Sequence, residues 1–358
     1  MKTNNLGRAA SRFHGRRTVL WVVLGILLTA LLAPLPGYWL SGTVVAQTGT
    51  VQGTNERADF WREVRRGTSG YSAVTGQESN VLIQNGGENW RTLRNGPVTL
   101  YGTWILGGFL AVIAVYYLFK GQVRIANGRT GQTLPRWDLF DRVVHWYITV
   151  LFLILGITGL SLFYGRTVLI PVFGKDGFAA YAALAKDVHN YLGPFFAAGL
   201  VVAILKWLRV NLFRREDLTW FAKGGGMLTS EHVPAGKLNG GEKTLFWLVA
   251  VLGAALAITG LILNFPNFGQ TRETMQLAHL VHLTTAIFLT AIIFGHIYMA
   301  TLGTEGALEG MIKGRVDVAW ARQHHDLWYQ ELLSQGVELE PVQEGSGKGD
   351  EYAQPKSA

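Results

Sequence analysis

Six blocks of this sequence are apolar over lengths at or near the width of a bilayer: residues 18–40, 98–119, 143–164, 191–206, 245–264 and 279–302. Crossing the hydrocarbon core takes about 20 helical residues. No water is present there to satisfy a backbone, so each crossing segment must close its own hydrogen bonds as a helix. The expected fold class is an all-α integral membrane protein with five or six spans. The fourth block is short unless it reaches back to His189. Composition agrees, because only 16% of the residues are charged, against about 25% in soluble domains.

The net charge of +8 is spread by loop rather than gathered into a nucleic-acid patch. Residues 1–17 carry Lys2, Arg8, Arg12, Arg16 and Arg17 and no acid. The 120–142 loop carries Lys120, Arg124, Arg129, Arg136 and Arg142, and the 206–243 loop seven Lys or Arg. The alternate loops are poorer, with three such residues in 166–188 and only Arg272 in 266–278. By the positive-inside rule the N-terminus, 120–142, 206–243 and the C-terminal tail are inside. Residues 41–97, 166–188 and 266–278 are outside. Membrane lipid is the expected surrounding, and nucleic acid is not an expected partner.

The N-terminal block has a basic start, an apolar core and the small-residue run "TVVAQ". It reads either as a signal peptide cleaved after Ala46 or as a retained anchor. The polar residues 47–97 read as an exported loop, and the tail from about 343 as disordered. The absence of cysteine removes disulfides, thiolate iron–sulfur ligation and covalent c-type haem attachment together.

Two segments echo each other at a constant offset of 101 residues. Trp146 matches Trp247, and Ile157-Thr158-Gly159-Leu160 matches Ile258-Thr259-Gly260-Leu261. Each segment is followed by one that brings in a histidine, His189 or His282, which suggests a bundle of two similar hairpins. Under the assigned topology His145 begins its helix on the inner side and His189 begins its own on the outer side. His282 and His296 lie at the outer and inner ends of one helix. Their 14 residues give about 21 Å of rise and leave the two rings within about 40° of one face. His189 is then level with His282, and His145 with His296. Two facing imidazoles at each of two depths suit two non-covalent b haems, each iron taking two axial nitrogens. Gly156, Gly159 and Gly260 would leave room for a wide macrocycle or for close helix packing. His279, three residues before His282, is the alternative outer ligand. His14, His232, His324 and His325 read as solvated surface.

At this point four stretches carry a resemblance. They are "LFDRVVHWYITVLFLILGITGLSLF" (139–163), "KDVHNYLGPFFAAGLVV" (186–202), "KLNGGEKTLFW" (237–247) and "HIYMATLGTEGALEGMIKGRVDVAWARQHHDLWYQEL" (296–332). Together they resemble the gamma subunit, a dihaem cytochrome b, of membrane-bound respiratory formate dehydrogenases. The resemblance covers about residues 135–335 of the 358. It implies a four-helix transmembrane dihaem bundle in a bacterial inner (plasma) membrane, here with one or two extra N-terminal spans. His189 and His282 would hold the outer haem, and His145 and His296 the inner one. A quinone near the inner haem would contact Asn239, Gly241 and Glu242, the last standing where the compared family member has glutamine. The expected organisation is a signal or anchor at 1–46, the exported loop at 47–97, and an extra span with its inner loop at 98–134. The dihaem domain follows at 135–305 and a cytoplasmic tail at 306–358.

The implied function is electron transfer, in which an iron–sulfur beta subunit delivers electrons to the outer haem and quinone collects them near the inner one. Formate oxidation would lie on a molybdenum- or tungsten-containing alpha subunit. A rival is the cytochrome b subunit of a nickel–iron hydrogenase or another quinone-linked oxidoreductase, which neighbouring genes would distinguish. A rival of another class is a haem-free proton-conducting protein using the histidines as a relay. The spans lack the acidic partners usual in such relays, and a haem spectrum would decide.

Overall fold

The computed structural model describes residues 68–69, 81–83, 85–226 and 233–341. The 18–40 block, the signal-or-anchor segment, His14, His232 and the tail expected to be disordered lie outside the described residues. The chain forms two compact units. One draws on Met1–Val123, Val143–Leu212 and Glu242–Thr304, the other on Arg124–Arg142, Phe213–Gly241 and Glu305–Ala358.

Among the described residues, five helical stretches are long and apolar enough to span a membrane: Gly86–Lys120, Leu139–Val168, Ile170–Trp207, Gly240–Asn264 and Arg272–Gly303. A short antiparallel pair, β1 (Thr68–Ser69) and β2 (Val81–Ile83), precedes them. Helix α1 (Asn85–Leu93) then runs through a π turn at Arg94–Val98 into α2 (Thr99–Lys120). The expected boundary at 97/98 is therefore corrected, because the helix begins at Asn85. Pro97 has no N–H to give an α-helical ladder. The wider turn takes up the misfit and lets the helix continue.

Helices α3 (Leu139–Val168) and α4 (Ile170–Trp207) follow. The expected outer loop 166–188 is thus largely helical, and His189 lies inside α4 rather than at its start. Pro171 and Gly174, at φ 70°, interrupt only its first turns. Beyond them "FAAYAALAKDV" is rich in alanine, the best helix former. His145 likewise lies inside α3. Helices α6 (Gly240–Asn264) and α7 (Arg272–Tyr298) complete the set, with a π turn at Met299–Gly303.

Glycine sets the close approaches in this unit. A Cβ on Gly102 of α2 would stand 2.5 Å from Ile287 Cδ1 of α7, and one on Gly199 of α4 would stand 2.5 Å from the Tyr147 ring of α3. Further along α7, Gly295 faces Phe109, and Tyr298 meets Tyr116 and Tyr117 edge-on. The Val123 N–H donates to Gly303 O at 2.8 Å. The first described span therefore runs alongside the last, in the same direction. Leu151, Phe196 and Leu200 are buried between α3 and α4.

The second unit gathers three of the four segments that charge assigns to the inside, which requires these three to share one side of the membrane. Strand β3 (Gln132–Pro135) pairs antiparallel with both β4 (Arg315–Asp317) and β5 (Glu340–Pro341). The unit also contains α5 (Arg215–Ala222), α8 (Glu309–Lys313), α9 (Val318–His324) and α10 (Asp326–Ser334). Its core is Ile125, Leu134, Val316, Val318, Trp320, Ala321 and Trp328. Residues 306–341, expected as part of a tail, are therefore structured. The Asp317 carboxylate caps α9 by accepting from the Ala319 N–H at 2.8 Å, and it also accepts from Thr130 Oγ1 at 3.1 Å. The reading of His325 as solvated surface is corrected. It is 1% exposed, and its Nδ1–H donates to Gly236 O at 2.8 Å. Arg136 lies over the neighbouring Trp320 ring at 4.5 Å.

Candidate haem-binding histidine pairs

His189 of α4 faces His282 of α7 with ring centroids 6.2 Å apart and planes at 77°. His145 of α3 faces His296 of α7 with centroids also 6.2 Å apart and planes at 65°. All four sit where the sequence reading pairs them. An ion held between two imidazole nitrogens at about 2.0–2.1 Å, with about 1.1 Å from each nitrogen to its ring centre, separates the centroids by about 6.2–6.4 Å. Both pairs fit that spacing. Among the described residues no group of three or more His, Asp or Glu could hold a metal ion. Each pair could supply two nitrogen ligands, the number a haem, whose porphyrin brings four of its own, would need from the protein.

The repeat has a specific job in the outer pair. Thr158 Oγ1 lies 2.9 Å from His189 Nδ1, and Thr259 Oγ1 lies 3.1 Å from His282 Nδ1. Each threonine hydroxyl also donates to a carbonyl of its own helix, Ile154 O at 2.8 Å and Ala255 O at 2.6 Å. Its only proton is thereby committed, so the oxygen accepts from the histidine. Nδ1 then carries the ring proton and Nε2 is left with its lone pair, the state a metal ligand needs.

The next residue makes the room. A Cβ on Gly159 would stand 3.1 Å from His189 Cε1, and one on Gly260 would stand 3.2 Å from His282 Cε1. These glycines therefore accommodate the imidazoles, while Gly156 faces open space. The threonines lie in plain view in the Ile-Thr-Gly-Leu echo, but sequence reasoning assigned them no role. The inner pair has no such partners. His145 Nδ1 is buried with no hydrogen-bond partner among the described residues.

His279 belongs to neither pair, since its Nδ1 accepts from Trp90 Nε1–H at 3.3 Å. Asn239 immediately precedes α6, and Gly241 and Glu242 lie in its first turn. A Cβ on Gly241 would stand 2.7 Å from the Trp220 ring, so glycine is required there for packing on α5.

Comparison with known proteins places the chain in a family. Residues 136–314 match the family described as prokaryotic cytochrome b561. The nitrate-inducible formate dehydrogenase cytochrome b556(Fdn) subunit of Escherichia coli K12 is 30% identical over 205 residues, covering 56% of this chain and 91% of the relative. The formate dehydrogenase cytochrome b556 subunit of Haemophilus influenzae is 31% identical over 215 residues, 58% of this chain and 87% of the relative. The Escherichia coli K12 cytochrome b556(fdo) subunit is 28% identical over 204 residues, covering 56% and 93% respectively. The matched region holds both histidine pairs and the threonine–glycine echo that supports one of them, and the chain belongs to the prokaryotic cytochrome b561 family.

Proposed function

We propose that this chain is the membrane cytochrome b subunit of a formate dehydrogenase, in a bacterial inner membrane, and that it holds two b haems. His189 and His282 hold the outer one, His145 and His296 the inner one. The chain passes electrons from a periplasmic iron–sulfur subunit to quinone near the cytoplasmic face. Formate is oxidised on a separate molybdenum- or tungsten-containing subunit, since a chain without cysteine offers no thiolates for iron–sulfur clusters. The relatives named as formate dehydrogenase subunits support the donor. The observation that carries the reading is the recurrence of one ring spacing, 6.2 Å, at two depths along α7.

Bound haem supplies reversible one-electron chemistry at each pair. The protein's own residues fix the ligands, with Thr158 and Thr259 setting the tautomer and Gly159 and Gly260 the ring positions. Along α7 the two pairs are about 21 Å apart. Electron entry outside and quinone protonation inside add to the membrane potential, at about 2.3 kcal/mol per charge per 100 mV. The turn of Asn239, Gly241 and Glu242 is the proposed quinone contact, where the Asn239 amide N–H can donate to a quinone carbonyl and the Glu242 carboxylate can accept from a quinol hydroxyl.

A reduced-minus-oxidised spectrum with a pyridine haemochrome assay on the intact chain tests the reading. Two b haems are expected, with His189→Ala and His145→Ala each removing a different spectral component. Fewer than two haems in fully loaded protein, or loss of the same component in both variants, refutes it.

A further inference from the structure

Two costly groups remain beside the outer pair without a role in it, Arg94 and His279. Contacts along α1 and α2 fix the depth of Arg94. Trp90 touches His279 and Gly102 approaches Ile287, so Arg94, between them in sequence, falls level with His282. A guanidinium at membrane depth is expensive and needs a partner. Arg94 is half-buried, lies 5.3 Å from the Phe163 ring centroid and donates to Asn95 Oδ1 at 2.7 Å. Among the described residues no carboxylate pairs with it.

His279 is held in one tautomer. An indole N–H can only donate, so the bond from Trp90 makes His279 Nδ1 an acceptor and puts the proton on Nε2. That Nε2–H is a directed donor, and among the described residues nothing accepts from it. The protonated nitrogen also cannot ligate iron.

We propose that the Arg94 guanidinium and His279 Nε2–H form a carboxylate-binding site for the propionates of the haem held by His189 and His282. The proposal rests on the haem reading above. Ionised propionates cannot point toward the bilayer centre without large cost, so those of a haem at the outer pair would point outward. His279 precedes His282 by three residues and lies about 4.5 Å nearer the outer face. Phe163, under Arg94, follows Gly159 by four residues, about 6 Å outward of the contact with His189. A delocalised cation with forked donors and a neutral N–H donor form a charge-assisted carboxylate clamp. Trp90 is its positioning residue. Arg94 and Trp90 precede the family-matched region at 136–314, so this chain's added helix completes the site.

The test is a redox titration of the intact holo-chain in nanodiscs, with infrared difference spectra in the carboxylate region. His189→Ala first identifies the outer spectral component. Arg94→Gln is expected to keep two haems, lower the midpoint potential of that component alone and shift its carboxylate bands. Loss of a nearby positive charge disfavours the reduced iron. Arg94→Lys should shift the potential less, and His279→Leu should alter the same bands. If His189→Ala removes no component, the haem assignment fails and the site fails with it. If the outer component exists but keeps its potential and bands in Arg94→Gln and His279→Leu, the site alone is overturned. A shift seen only in anionic-lipid discs and absent in phosphatidylcholine assigns Arg94 to a headgroup phosphate and also overturns it.

Discussion

The sharpest consequence of the threonine contacts is a loss of haem retention on Thr259→Val. Thr259 is 8% exposed, and its oxygen accepts from His282 Nδ1 at 3.1 Å. Valine keeps the branched shape and removes the acceptor. The penalty depends on whether metal is bound. Without metal, His282 can move its proton to the other ring nitrogen and keep Nδ1 as a lone pair. With iron on Nε2 the proton must stay on Nδ1, buried and without its acceptor. The cost therefore falls on the haem-bound state. Leaving such a group unsatisfied costs about 1–3 kcal/mol, which at about 1.4 kcal/mol per tenfold weakens retention roughly 5- to 150-fold. That range matches the effect of removing groups that orient metal-bound histidines in general, about 10- to 100-fold. The imidazole also loses basicity, so the outer midpoint potential should rise. Transfer of haem from the variant to an excess of apo-acceptor protein, followed in the Soret band, measures retention, and a redox titration measures the potential. Thr158→Val should behave alike, and Thr→Ser at either position should restore the parent values. Unchanged haem transfer and potential in both valine variants, with haems still bound, would refute the tautomer assignment.

Two further outcomes follow from other parts of the chain. Burial, and then the Arg136 charge, hold the His325 imidazole well below its usual pKa of 6.5, so the folded unit keeps it neutral while the unfolded chain protonates below about 6.5. Stability is therefore full above that pH and falls on acidification toward the folded value, by up to about 1.4 kcal/mol per pH unit; hydrogen-exchange protection of residues 315–334, corrected for intrinsic rates, should drop from pH 7 to 5 and drop less in His325→Gln, and flat protection in the parent would contradict this. In the proposed quinone turn, Asn239→Ala or Glu242→Ala should leave both haems bound and reducible but slow their reoxidation at sub-saturating quinone; unchanged reoxidation in both removes the turn from the site.

The five described spans and the histidine pairs were legible in the sequence because both carry a large physical cost. Apolar runs of membrane length have few alternative explanations, and four imidazoles matched in depth are expensive unless ligated. What was not legible lacked such a cost. Thr158 and Thr259 looked like ordinary membrane-helix residues, and only their register against His189 and His282 gives them a role. Residues 175–188 were read as a loop because Lys175, Asp176, Lys186 and Asp187 mark a polar segment, although the alanines between them favour helix. The second unit was hidden because its core is assembled from two segments far apart in sequence, whose strands and helices are each too short to show a periodic apolar face. His325 was misread for the same reason, since its burial depends on the Gly236 segment, which is far away in sequence.

The two histidine pairs share one spacing but not one support, and this asymmetry leads to a last prediction. The repeat places threonine and glycine behind both histidines of the outer pair, so each outer imidazole has an acceptor for Nδ1 and a fitted place for its ring. At the inner pair, His145 Nδ1 is buried and finds no hydrogen-bond partner among the described residues. An unsatisfied buried N–H costs about 1–3 kcal/mol relative to a bonded one. That places the inner site roughly 5- to 150-fold behind the outer in retention, at about 1.4 kcal/mol per tenfold. On slow transfer to an apo-acceptor, the spectral component that His145→Ala removes should therefore leave first, and the component that His189→Ala removes should remain. Simultaneous loss, or earlier loss of the outer component, would mean that the inner ligands are held as firmly by another route and that the threonine contacts do not govern retention.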